Sequence, residues 1–300
     1  MDVVTGAFSF SGKYIAARLL AADREVRTLT RHPQSASPFG KRVRAFPLDF
    51  DDVDGLTEIL RGADTLFNTY WIRSPRGDYT FERAIANTEA LLGAARAAGV
   101  RRVVHLSVSN ASPSSHLPYF KGKGVTEQKL TSSSLSYAII RPTLIYARED
   151  VLVNNIAWLL RRLPLFVIPG SGRYTLQPVA VEDVAELAVA ASESDEATVL
   201  DAAGPDILTF DELVGLVREA VGSRARITHA STRVTHALGS LLGAVLHDTL
   251  ITRGELDGLT EGLLTSHAPP TGKRRFKTWL SAEAESLGTS YTSETRRNWS

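Results

Sequence analysis

The first dozen residues, Met1-Asp2-Val3-Val4-Thr5-Gly6-Ala7-Phe8-Ser9-Phe10-Ser11-Gly12, constrain this chain more than any other stretch. A short strand runs into a glycine turn, and the apolar-periodic run from Lys13 to Leu20 then reads as a helix. Such a turn aims backbone N–H groups at an anion, and the positive end of the helix dipole favours the phosphate that settles there. Gly6 suits the tight turn and Gly12 the close helix–strand packing, whereas Ser9 stands where a middle glycine would admit a pyrophosphate.

Glycines before a helix recur by chance, so the context decides. A second strand, Glu25 to Thr30, follows the helix after a short connection and ends in Arg31-His32-Pro33, which completes a βαβ unit. The residue just past that strand reads the adenosine ribose of a dinucleotide: an acid accepts from the 2′-OH of NAD, an arginine accommodates the 2′-phosphate of NADP. Arg31 stands there with no acid beside it, and the expectation is NADP(H) in preference to NAD(H). The plainer alternative is a solvated loop charge.

Composition excludes several rivals. With 300 residues, 43% of them hydrophobic and 22% charged, the chain can bury a large core. A net charge of +1 gives no electrostatic reason to expect nucleic acid or an anionic membrane as partner, and the one basic cluster, Lys273 to Lys277, reads as a solvated helix start. The absence of cysteine rules out disulfides, thiol catalysis and cysteine-built zinc sites, and fits a reducing, cytoplasmic setting. No leader precedes the first strand, and Asn154, Asn155, Arg161 and Arg162 interrupt the most apolar segment, so no membrane span is expected. The seven histidines show no metal-ligand spacing, and no metal is expected.

Strands continue to alternate with helices. Val43 to Phe50, Thr65 to Thr69, Arg102 to Ser107 and Tyr137 to Ile140 read as strands three to six, separated by helices over Asp51 to Arg61, Phe81 to Ala98 and from about Tyr119. This is the pattern of an α/β protein with a doubly wound, mainly parallel Rossmann sheet, its ligand site at the carboxyl ends of the strands. The expected division is a dinucleotide-binding domain over 1–145 and a smaller C-terminal α/β substrate region over 146–300, with 175–192 returning to the first core. In that second half Val151 to Leu165 reads as an apolar helix and Leu176 to Val179 as a return strand. Phe210 to Val221 reads as an amphipathic helix, and the apolar Thr235 to Leu250 as a segment for core burial or for a dimer contact, burial being favoured. The expected assembly is a monomer or homodimer.

Tyr119 and Lys123 lie four apart on one helix face, so the lysine ammonium can lower the phenol pKa and reach a ribose hydroxyl. Ser109, or Ser107, at the end of strand five can hydrogen-bond a substrate oxygen. A tuned proton donor with an orienting hydroxyl is what hydride transfer to a carbonyl needs beyond the nicotinamide.

Taken together these residues resemble the short-chain dehydrogenase/reductase superfamily, in its extended and atypical branch of epimerase-like and NmrA-like proteins. Thr5-Gly6-Ala7-Phe8-Ser9-Phe10-Ser11-Gly12 is similar to that branch's T-G-x-x-G-x-x-G with one replacement, Arg141-Pro142-Thr143-Leu144-Ile145-Tyr146 to its R-P-x-x-x-Y-G, and Val179 to Ala185 to its V-x-V-x-D-V-A. The resemblance implies that Asp49-Phe50 contacts the adenine, that Asn68-Thr69-Tyr70 lines the cofactor cleft with Pro142, and that Asn87 supports the active-site network. It implies Tyr119 as general acid/base, Lys123 as its ribose-binding partner and Ser109 as the orienting donor for a small-molecule substrate. Ser9, Gly122 and the bulky Tyr70-Trp71 depart from the pattern. Atypical members include proteins that hold NADP(H) without turning it over, as redox sensors or as a subunit of respiratory complex I, so turnover stays open at this point.

Overall fold

The computed structural model describes residues 1–246, 248 and 252–293. Two compact units share the chain, one built of Met1–Pro142 and Val181–Ala202, the other of Thr143–Ala180 and the chain from Ala203 onward. The first unit contains β1 (Asp2–Thr5), α1 (Phe10–Ala21), β2 (Val26–Thr30), β3 (Val43–Pro47), α2 (Val53–Leu60), β4 (Thr65–Asn68), α3 (Phe81–Ala97), β5 (Arg102–Leu106), α4 (Pro118–Thr131) and β6 (Ser136–Pro142). The chain then enters the second unit with β7 (Leu144–Tyr146), α5 (Val151–Arg162), β8 (Leu165–Pro169), β9 (Thr175–Leu176) and β10 (Pro178–Ala180). It returns to the first with α6 (Val181–Ser192) and β11 (Thr198–Ala202), and ends in the second with β12 (Leu208–Thr209), α7 (Phe210–Ala220), β13 (Arg226–Ala230), α8 (Thr232–Leu246), α9 (Arg253–Thr260) and α10 (Phe276–Glu283).

The first unit is a seven-stranded sheet in the order β11-β6-β5-β4-β1-β2-β3, parallel throughout. Every residue of β1, β4 and β5 is buried, as expected of strands covered by helices on both faces. On one face Val3, Leu66, Val103 and Ile139 form a layer with Leu56 and Leu60 of α2, Leu91 of α3 and Leu130 of α4. Each such buried leucine stabilises the fold by roughly 2 kcal/mol. On the other face α1 and α6 pack together. Because all strands run the same way, the ends of β1, β4 and β5 open onto one edge, where they and the loops after them carry the candidate side chains Ser9, Asn68 to Trp71 and Ser109.

The second unit is built around Tyr146, Val153, Ile156 and Leu160, packed against Phe210, Leu213 and Val217 of α7 and Phe276 and Leu280 of α10. Three two-stranded sheets, β7 with β10, β9 with β12 and β8 with β13, edge this core.

Three sequence expectations are corrected here. The helix from Val151 stops at Arg162, and Leu165 begins β8: Leu163, the residue before Pro164, is already extended at φ −105°, ψ 141°, as a following proline demands. The segment that rejoins the first unit is Val181–Ala202 rather than 175–192, since β9 and β10 pair with β12 and β7 of the second unit while β11 pairs with β6. In α8, Leu238 and Leu241 are 47% and 67% exposed, so core burial does not hold for these two; residues 247, 249 and 250 of that expectation lie outside the described residues.

Candidate functional site

The turn after β1 is set by two glycines. Gly6 has φ +67°, and a Cβ on Gly12 would lie 2.2 Å from the Gly6 carbonyl oxygen, so the helix can approach the turn only without a side chain there. The Ser9 hydroxyl folds back and donates to that same Gly6 oxygen at 2.6 Å, leaving α1 without a side-chain cap. The ladder of α1 opens with the Lys13 N–H on the Ser9 carbonyl, and the N–H groups of Phe10, Ser11 and Gly12 stand outside it. A phosphate is the ligand such a turn accommodates. Phe8 and Phe10 flank it, both half-buried.

Thr5 ties this turn to the end of β4. Its hydroxyl accepts the N–H groups of Thr69 at 2.7 Å and Tyr70 at 3.1 Å, and the Thr69 hydroxyl returns a bond to the Thr5 carbonyl at 2.5 Å. Asn68, fully buried, accepts the Tyr70 N–H at 3.1 Å through Oδ1 and contacts His105 Nδ1 through its amide nitrogen at 3.1 Å. Since its oxygen takes donors, its amide must donate to Nδ1, and the neutral imidazole therefore carries its proton on Nε2. Burial, then the neighbouring Lys123 charge, lowers the His105 pKa to about 3.

Tyr70 and Trp71 part company after β4. The Tyr70 ring lies 4.6 Å from the Phe50 ring and its hydroxyl accepts from the Asn87 amide at 2.8 Å, so this packing pairs it with Phe50. Trp71 instead stacks on Phe81 at 6.0 Å and lies 4.8 Å over the Lys123 ammonium. Its indole explains Gly122: a Cβ there would sit 2.9 Å from the ring. Asp49 is exposed and accepts the Asp51 N–H at 3.0 Å. Arg31, also exposed, holds its guanidinium 5.5 Å from the Tyr79 ring centroid.

At β5 the Lys123 side chain is only 3% exposed, and its ammonium donates to the Leu106 carbonyl at 2.7 Å. Burial lowers its pKa to about 7, against the opposing pull of Glu127. Glu127 itself is claimed by Arg141, whose Nε donates to it at 2.9 Å, so no carboxylate pairs directly with the ammonium among the described residues. Tyr119, half-buried one turn earlier, is wedged edge-on against Trp71, Phe81 and Phe120 at 6.3, 6.1 and 5.6 Å. Ser109 is fully buried, and its N–H bonds the Pro142 carbonyl at 2.8 Å, joining the ends of β5 and β6.

The geometry thus gathers Thr5, Asn68 and Thr69 into one network, Phe50 and Tyr70 into a second, and Tyr119, Lys123 and Trp71 into a third; Arg31 and Asp49 are exposed loop residues outside these three. Sequence reasoning treated His105 only as a non-ligand and missed its place beneath Lys123. A histidine inside the buried strand Val103-Val104-His105-Leu106 was the available signal. No group of metal-ligating side chains occurs among the described residues, and none of their helices is long and apolar enough to cross a membrane.

A family model described as NAD(P)H-binding matches residues 6–195. Among curated proteins, mitochondrial NADH dehydrogenase (ubiquinone) 1 alpha subcomplex subunit 9 of Arabidopsis thaliana is 26% identical over 230 residues, which cover 73% of this chain and 57% of that protein. The Mus musculus counterpart is 28% identical over 205 residues, 65% of this chain and 53% of that one. The chain therefore spans little more than half the length of these relatives. Among solved structures, Citrobacter sp. triphenylmethane reductase complexed with NADP(H) has a TM-score of 0.77 at 20% identity, covering 95% of this chain and 100% of that one. The NADPH-dependent quinone oxidoreductase of Escherichia coli, complexed with NADPH, has a TM-score of 0.76 at 21% identity, covering 96% and 99%. Both share the fold.

Proposed function

The chain belongs to the NAD(P)H-binding family, within the atypical short-chain dehydrogenase/reductase proteins, and from that premise we propose that it is an NADP(H)-dependent oxidoreductase acting on a small carbonyl or alcohol. One observation carries this reading: a fully buried lysine with no carboxylate of its own sits one helical turn from Tyr119. A buried cation without a partner is costly to fold around, and such groups cluster where chemistry is done. Nicotinamide supplies the hydride when bound. Tyr119 gives the carbonyl oxygen its proton, Lys123 keeps the phenol acidic and holds the ribose, and Ser109 orients the oxygen. The turn at Gly6 to Gly12 takes the pyrophosphate, Asp49 and Phe50 the adenosine, and Arg31 the 2′-phosphate, hence NADP(H) before NAD(H). The cysteine-free composition supports a cytoplasmic protein.

A second reading has its own support. Lys123 spends its proton on a backbone carbonyl beneath Trp71, an arrangement that also suits a protein that holds NADP(H) without turnover, as a regulator or an assembly subunit. Tyr119→Phe separates the two. Measured by NADPH absorbance with a panel of carbonyl compounds, the variant loses kcat by roughly a thousandfold while NADPH affinity stays within about twofold. Turnover that survives unchanged in the variant removes Tyr119 from the reaction, and no turnover in the wild type leaves the non-catalytic reading standing.

A further inference from the structure

Three polar atoms around Lys123 have no hydrogen-bond partner: Trp71 Nε1, His105 Nε2 and Ser107 Oγ. The Trp71 ring centroid lies 4.8 Å from the ammonium, and His105 and Ser107 flank Leu106, whose carbonyl accepts the ammonium's hydrogen bond at 2.7 Å. His105 is 1% and Ser107 7% exposed, so bulk water does not serve them, and a buried donor left without an acceptor is costly. Indole offers only a donor, and the Asn68 contact fixes the imidazole proton on Nε2. These three buried polar atoms lack partners, and among the described residues no carboxylate pairs directly with the ammonium.

We propose that this end of β5 is a subsite for a carboxylate of the substrate, so that the compound reduced is an oxo acid. It rests on the assignment of Tyr119 and Lys123 as the reacting pair, and names the substrate class of that same site. One carboxylate oxygen accepts from His105 Nε2 and Ser107 Oγ, the other from Trp71 Nε1, and the buried ammonium supplies the countercharge. An acceptor-only anion satisfies all three donors, whereas an amide of the same shape brings N–H groups that meet donors and leaves the charge unanswered.

Benzoate and benzamide are the probes, titrated calorimetrically against the NADP⁺-loaded protein. Benzoate is expected to bind at least tenfold more tightly than benzamide, and Ser107→Ala and Trp71→Phe each to weaken benzoate about tenfold with NADP⁺ affinity unchanged. Should Trp71→Phe fail to fold, Ser107→Ala decides. Equal affinity for the two probes, no benzoate binding, or indifference to both variants overturns the subsite. Benzoate binding in a protein that reduces no carbonyl compound supports the subsite and overturns the oxidoreductase reading instead; carbonyl reduction without benzoate binding does the reverse.

Discussion

The turn after β1 and the end of β5 lie on the same edge of one sheet, yet they are built on opposite terms. The turn works by leaving side chains out: Gly12 has no room for a methyl group, and Ser9 bends its hydroxyl back onto the turn. The end of β5 works by putting polar side chains in, with Lys123, His105 and Ser107 all in the interior. A backbone device tolerates no added volume, and a side-chain device tolerates no lost charge or donor. The difference teaches that two parts of one sheet edge fail in different ways, sterically at one and electrostatically at the other.

The sharpest test of the contrast is pH. Lys123 has a folded pKa of about 7 against an ordinary value of 10.5, so between those limits the unfolded chain binds the extra proton and stability rises with pH. The penalty is complete below about pH 7 and fades toward pH 10. Denaturant unfolding of the wild type, less that of Lys123→Met, is expected to climb by about 1.4 kcal/mol per pH unit across that window, about 5 kcal/mol in all. Parallel stability profiles for the two proteins would mean that the ammonium is not held in the low-dielectric interior.

At the turn the expected loss is smaller and indifferent to pH. Gly12→Ala drives a methyl group into the Gly6 carbonyl and should cost about 3 kcal/mol by urea unfolding, with NADPH affinity falling alongside. A fully stable Gly12→Ala protein would break the comparison at its steric end. The smallest effect belongs to the exposed cation beyond β2. Arg31→Ala is expected to weaken NADPH about tenfold, roughly 1.4 kcal/mol, and to leave NADH untouched, as read by fluorescence titration with both nucleotides. Equal losses for the two cofactors would detach Arg31 from the 2′-phosphate.

What could be read from the sequence follows the same division. The glycine turn and the six strands from Asp2 to Pro142 were legible because backbone geometry and strand burial leave local marks, glycine spacing and apolar runs. The edge strand β11 was not: Thr198-Val199-Leu200-Asp201-Ala202 is half-exposed and short, and its partner β6 lies some sixty residues earlier. Strand β13 was equally silent, with Arg226 and His229 among its five residues, and it took β8 to define it. At the site, Tyr119 and Lys123 were legible through helical spacing, whereas the orphaned proton on His105 depends on an asparagine thirty-seven residues away. No local pattern records a tautomer. The link between Trp71 and Gly122 was likewise hidden, although each stood out alone as unusual.

The chain's three crossings between units bear on how the protein can be made and cut. The first unit closes only when α6 covers α1 and β11 pairs with β6, and both arrive after the first stretch of the second unit has been synthesised. A ribosome that has released Pro142 has therefore produced a glycine turn whose sheet still shows a bare edge along β6. A gene fragment stopped at that proline should yield insoluble material, whereas one that splices residue 142 to residue 181 through a short linker and ends after Ala202 keeps every strand of the sheet.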